Sequence, residues 1–192
     1  RWCIFNCPLV VHFDCPLTAE KDGIAETMND SDKIYEIQCS LTDNDRSFLN
    51  TAVPYVRIPG RNALAVHAGI GQNIRKLPAP EELLAMPRTK KKYIQSMLLR
   101  LRYEDRDGNF VALGNETTID QFWAKRYDAR FGHVYFGHHA FPEKNRPVEF
   151  EHATSLDLGC VYGGCLAAAV LDGTSVQYEV VRAKKCYANS SI

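Results

Sequence analysis

A chain of 192 residues with 45% apolar content is long enough for one sizeable core, because domains commonly run to about 100–200 residues. Its 23 basic and 23 acidic residues cancel to a formal net charge of zero, which excludes long-range attraction to nucleic acid or an anionic membrane as a driving force. The apolar run Leu166 to Leu171 falls far short of the roughly 20 residues that cross a bilayer, so no transmembrane segment is expected.

The first forty residues lack periodicity and carry Pro8, Pro16, Gly23 and the polar run Asn29-Asp30-Ser31-Asp32, which predicts an irregular wrapping extension over residues 1–40. From Leu41 the pattern changes. Thr42 or Asp43 is placed to cap a short helix through Leu49, ended by Pro54. Tyr55-Val56-Arg57-Ile58 and Ala63-Leu64-Ala65-Val66 are β-type runs joined tightly by Pro59-Gly60-Arg61-Asn62. Between Pro80 and Leu101 the apolar residues Leu83, Leu84, Met86, Tyr93, Ile94, Met97, Leu98 and Leu101 fall at helical spacing, and Pro87 divides the segment into two helices. Thr118 to Tyr127 reads as a further helix, capped by Thr117 or Thr118, with Ile119, Phe122 and Trp123 as its apolar stripe. His133-Val134-Tyr135-Phe136 is a buried type of strand. From Ser155 to Val181, strand runs alternate with Gly159, Gly163-Gly164 and Asp172-Gly173, the turn chemistry of a β-meander.

Two of these strands run into histidine beside glycine, as Val66-His67-Ala68-Gly69 and Phe136-Gly137-His138. Ligands of an open α/β sheet gather outside the carboxyl ends of its strands, so both imidazoles are placed to face one cleft. Three stretches set these histidines in context. The first leads from Phe48-Leu49 and Pro54-Tyr55 into Val66-His67-Ala68-Gly69-Ile70. The second runs from Phe122-Trp123 through Tyr127 and Gly132 to Phe136-Gly137-His138. The third, and the most specific, is Ala153-Thr154-Ser155-Leu156-Asp157-Leu158-Gly159-Cys160-Val161-Tyr162-Gly163-Gly164. In content, order and spacing, from about Leu41 to about Val181, the chain resembles the calcineurin-like metallophosphoesterase superfamily, and within it the ApaH-like phosphatases.

That resemblance implies two metal ions held by Asp, His and Asn, which together stabilise the attacking and leaving oxygens of a phosphoester. It puts His67 and His138 in the places of the two later histidine ligands of the second metal. It also implies a phosphate-clamping arginine between them, for which Arg88 is the best match and Arg100 and Arg102 are rivals. The earlier family motifs, Asp-x-His, Gly-Asp-x-x-Asp-Arg-Gly and Gly-Asn-His-Glu or Asp, occur nowhere in this sequence. The first metal is thereby left without ligands, the second with two at most, and the general acid histidine is missing. Within the third stretch, Ser155 stands where the family usually has Gly, Leu158 where it has Thr, and Cys165 where it often has a basic residue.

Other residues carry weaker signals. Cys3, Cys7, His12 and Cys15 are ligand-like types close in sequence, to be read either as a zinc site or as free cysteines. The seven cysteines, an odd number in a chain able to fold without disulfides, predict mostly free thiols and a reducing compartment, Cys160 and Cys165 included. Lys90-Lys91-Lys92 makes a basic helix whose simplest role is a solvated face. His133 and His139 read as packing or surface residues, Phe122, Trp123 and Tyr127 as core, and Glu149 and Glu151 as solvated charges. Arg1 stands first in place of Met, so the expectation is an upstream segment that was removed, as when an organellar leader is cleaved, or that was not included in the sequence.

The expected fold is therefore α/β: a partial metallophosphoesterase-like fold of sheets flanked by helices, with a C-terminal antiparallel meander. Residues 41–185 form the degenerate domain and 186–192 a tail. The expected function is that of a catalytically inactive accessory or scaffold subunit in a larger assembly. Its location is expected to be mitochondrial, with the cytoplasm as the alternative. Other protein subunits would cover the incomplete sheet, with no specific nucleic acid among the partners. No cofactor is expected, and Mn, Fe or Zn only if the missing ligands come from elsewhere. The competing expectation is half of a split or truncated dinuclear phosphatase acting on nucleoside polyphosphates, capped RNA ends or phosphoproteins.

Overall fold

Four consecutive apolar residues, Ala63–Val66, make a strand that is buried along its whole length. Such a run suits the middle of a parallel sheet covered on both faces. In the computed structural model, which describes residues 2–5, 40–49 and 51–188, this strand is β3. It lies beside the parallel strands β7 (His133–Phe136) and β9 (Ala153–Ser155). Two antiparallel strands, β2 (Tyr55–Arg57) and β8 (Val148–Glu149), close the edges, giving the five-stranded order β2-β3-β7-β9-β8.

The two-residue period of the strands sorts the core into two layers. Leu64 and Val66 of β3 and Val134 and Phe136 of β7 join the larger cluster with Ile94, Met97, Leu98 and Trp123. Ala63 and Tyr135 point the other way, into a second cluster with Leu156, Ala169 and Leu171. That second layer is the predicted meander. Strand β11 (Cys165–Asp172) pairs over its full length with β12 (Ser175–Arg182). Its other side pairs with β10 (Asp157–Leu158) and with β1 (Trp2–Phe5), all antiparallel. Strand β12 is mostly exposed and is an outer edge of this sheet among the described residues.

Helix α1 (Asp43–Leu49) begins as the sequence predicts. The Asp45 amide donates to Thr42 Oγ1 at 3.2 Å, and the Thr42 amide donates back to Asp45 Oδ2 at 2.8 Å. This reciprocal bonding satisfies amides that the first helical turn leaves open. Pro87 separates α2 (Pro80–Ala85) from α3 (Arg88–Arg100) because it lacks the amide needed to continue the helix. Helix α3 buries Ile94, Met97, Leu98 and Leu99. Burial of each such side chain contributes about 1.5–3 kcal/mol relative to exposure.

Two expectations are corrected. Thr118 to Tyr127 is not a helix. The carboxylate of Asp120 accepts from both the amide and the hydroxyl of Thr117, at 2.7 and 2.9 Å, as Asp45 does from Thr42 at the start of α1, but here the chain makes one turn and does not continue as a helix. Gln121–Phe122 then forms β6, paired with β4 (Tyr103–Glu104), whose other neighbour is β5 (Phe110–Val111). Trp123–Lys125 is a single 3-10 turn. Phe122, Trp123 and Tyr127 are core nonetheless, whereas Ile119 is 53% exposed. The opening segment, expected to be irregular, contributes strand β1 through Trp2–Phe5. Residues 6–39, with Cys7, His12 and Cys15, lie outside the described residues.

Candidate functional site

The register Ala65↔Tyr135 continues one step past the strands, where the Gly137 amide donates to the His67 carbonyl at 2.9 Å. His138, one residue further on, has φ +70. This left-handed conformation is sparsely populated by residues with a Cβ. It accompanies a close approach of the two rings, with His67 Nε2 and His138 Nδ1 3.2 Å apart and the centroids 4.9 Å apart. The two histidines that close the parallel strands thus converge. Two imidazole nitrogens bound tetrahedrally to one zinc ion at about 2.0–2.1 Å would lie ~3.3 Å apart. The contact is a hydrogen bond between the rings, its donor set by the tautomer, and its length also fits two ligands of one ion. Among the described residues, no group of three or more His, Cys, Asp or Glu is arranged to hold a metal.

Helix α3 fixes the height of the His67 loop, because the Ala68 amide donates to the Leu98 carbonyl at 2.8 Å. That contact separates Arg88 from the candidates at the helix end. Arg88 opens the helix, and at 1.5 Å per residue it lies about 15 Å along the axis from Leu98. Arg102, just past the helix end, approaches the His138 carbonyl oxygen with Nη2 at 3.5 Å. The structure therefore places Arg102, and not the sequence-preferred Arg88, beside the histidine pair. Burial lowers the pKa of the Arg102 guanidinium, and the charges of Glu116, Tyr162 and Asp157 partly restore it.

Asp157 and Tyr162 belong to the third motif stretch, whose fold depends on Gly164. The Gly164 amide donates to the Gly159 carbonyl at 3.0 Å, and a Cβ on Gly164 would fall 2.0 Å from the Leu158 carbonyl oxygen. The chain can turn this tightly only without a side chain there. The tail folds back onto the same turn, with the amides of Tyr187 and Ala188 both donating to the Val161 carbonyl.

His139 packs against Phe122 and Phe141, with centroids 5.0 and 4.8 Å away. Burial, and then the charge of Arg102, holds its pKa below the ordinary value. His133 meets Thr154 Oγ1 through Nε2 at 2.9 Å. Lys90 and Lys92 are exposed on α3. Glu149 accepts from the Tyr178 hydroxyl, and Glu151 pairs with His152 at 3.4 Å. Cys160, Cys165 and Cys186 are unbridged.

The residues that sequence reasoning missed hold the loop after His67. Glu104, 1% exposed, accepts the Gln72 amide on Oε1 at 2.7 Å, while its Oε2 has no hydrogen-bond partner. Burial raises its pKa. Arg126 Nη2 donates to Gln72 Oε1 at 2.7 Å, and Arg130 Nη1 donates to the carbonyls of Gln72 and Ile74.

No family model and no curated protein matches the chain. A solved structure described as "Crystal structure of a putative diadenosine tetraphosphatase" is similar to it, with a TM-score of 0.51 and 20% identity. The fold is metallophosphoesterase-like. The likeness covers 79% of this chain and 61% of that one, so the chain spans less than two thirds of its neighbour's length. Within the metallophosphoesterase-like fold, His67, His138 and Arg102 stand together at the carboxyl ends of the parallel strands.

Proposed function

We propose that this chain carries the histidine-bearing half of a phosphoesterase centre and serves as a non-catalytic accessory or scaffold domain of a larger protein assembly. The observation that supports the reading is the convergence of His67 Nε2 and His138 Nδ1 at 3.2 Å beside Arg102. Two imidazoles supply two of the four or more ligands such an ion takes, and nitrogen donors alone suit a hard hydrolytic ion poorly. A divalent ion held there would polarise a phosphoryl oxygen. The chain's own contribution is to bind and orient. Arg102, kept in place beside the His138 carbonyl, offers a planar fork to phosphate oxygens. The exposed outer strand β12, with Val181 67% exposed, favours cover by another subunit.

The second reading is an enzyme, in which another polypeptide or segment completes the centre and nucleoside polyphosphates, capped RNA ends or phosphoproteins are hydrolysed. The metal-like spacing of the two imidazoles favours it. Assay of the chain with p-nitrophenyl phosphate and Mn²⁺ or Zn²⁺ separates the two. The accessory reading expects weak binding of a single ion, lost in His67→Ala and in His138→Ala, and no turnover. Turnover by the chain, alone or together with the proteins that co-purify with it, abolished in His67→Ala, would sink it and establish the enzyme.

A further inference from the structure

The two ends of the parallel strands carry different chemistry. Their amino ends, Ala63 on β3 and His133 on β7, border an open cleft of about 520 Å³ lined also by the β11–β12 turn and by β12. At about 3.3 Å per residue, the four steps from Ala63 to His67 put this cleft roughly 13 Å from the histidine pair. None of His67, His138 and Arg102 lines it.

One cation and one anion face this space, each fixed by a partner of its own. Arg61 Nη2 donates to the Ser175 carbonyl at 2.5 Å, and Glu149 Oε1 accepts from the Tyr178 hydroxyl at 3.1 Å. The two charges do not pair with each other. Both act on the Tyr135 hydroxyl, whose pKa is raised first by burial, lowered by Arg61 and raised by Glu149. The phenol of Tyr135 is thus under the influence of both charges. A simple anion entering here meets Glu149, and a simple cation meets Arg61. A ligand with both charges satisfies both walls, and the arginine fork matches a carboxylate in two parallel bonds. Clefts and cavities of about 300–1,000 Å³ commonly take small molecules.

We propose that this cleft binds a small zwitterion of the free amino acid class, with its carboxylate on Arg61 and its ammonium on Glu149. The rings of Tyr135 and Tyr178 line the space left for the ligand's carbon skeleton. Thermal denaturation of the whole chain with each proteinogenic L-amino acid, in metal-free buffer, tests it. At least one amino acid is expected to raise the melting temperature saturably. Its N-acetyl and amide derivatives, each lacking one charge, are expected to bind about tenfold or more weakly. Arg61→Gln and Glu149→Gln are expected to lose the shift, and His67→Ala to keep it, which separates this cleft from the phosphoesterase-like site. If either glutamine variant melts lower without ligand, the derivative series on the unaltered chain decides. No shift from any amino acid, or equal binding of the N-acetyl form, overturns the proposal.

Discussion

Gly69 lies against the indole of Trp123 so closely that a Cβ on it would fall 2.6 Å from ring atoms Cε2 and Nε1. Trp123 is 1% exposed and stands edge-on to Phe136 with centroids 4.8 Å apart, so the ring has little room to retreat. The loop leaving His67 reaches the aromatic core because residue 69 has no side chain. Gly69→Ala is expected to destabilise the fold by about 1–3 kcal/mol through overpacking, read by urea denaturation. A variant as stable as the parent would mean that the indole yields.

Glu104 ties the same loop from below, and its carboxyl is raised chiefly by burial. A group raised in the folded state contributes stability that is complete below the ordinary value of 4.5 and lost as pH rises through the folded value. Glu104→Gln keeps an acceptor for the Gln72 amide and removes the charge, so its melting temperature relative to the parent should rise from pH 4 to pH 8. Glu104→Ala leaves that amide without its acceptor and is expected to cost about 1–3 kcal/mol at acid pH, and less as pH rises and the parent loses its own contribution. Melting curves of both variants across pH 4 to 8 check this, and identical pH slopes in parent and Glu104→Gln would refute it.

The strands and the broken helix were legible because their signals are local: the apolar run Ala63–Val66, the break at Pro87, and the Gly and Asp turns of the meander. The meeting of His67 and His138 was legible in outline, since both follow strands that can lie side by side. Arg102 was not distinguishable from Arg88, because the choice depends on which end of α3 meets the Ala68 amide, a tertiary contact. The Thr118–Tyr127 error has a tertiary cause, in that Gln121–Phe122 pairs with β4 and takes the chain out of the helix that spacing and the Thr117–Asp120 bonding favoured. Glu104 was overlooked because an acid among Arg102, Asp105 and Arg106 looks solvated until the strand pairing buries it.

His133 and His139 set the acid limit of the fold. Burial lowers both, aided by His152 at His133 and by Arg102 at His139. The unfolded chain therefore binds the more protons, and their contribution is present above the ordinary value of 6.5 and lost as pH falls through the folded values. Their own contribution to the melting temperature is expected to fall between pH 7.5 and 5. His139→Phe, which keeps an aromatic ring among Tyr103, Phe122 and Phe141, should flatten part of that drop. An unchanged acid limb in this variant would remove His139 from the account.

The left-handed conformation of His138 gives the last prediction. At φ +70 a residue with a Cβ is strained by about 1–2 kcal/mol, whereas glycine is not. His138→Ala and His138→Gly both delete the 3.2 Å contact with His67, so their difference isolates the backbone. Glycine ordinarily lowers stability relative to alanine, by freeing the unfolded chain. Here His138→Gly is expected to exceed His138→Ala by about 1 kcal/mol in urea denaturation, while neither variant binds Zn²⁺ between residues 67 and 138. Ala129 shares this conformation at φ +59, but only at His138 does it set the aim of a ligand-like side chain. The ordinary order, with alanine the more stable, would show that the loop relaxes freely and that the convergence of the two imidazoles costs the fold nothing.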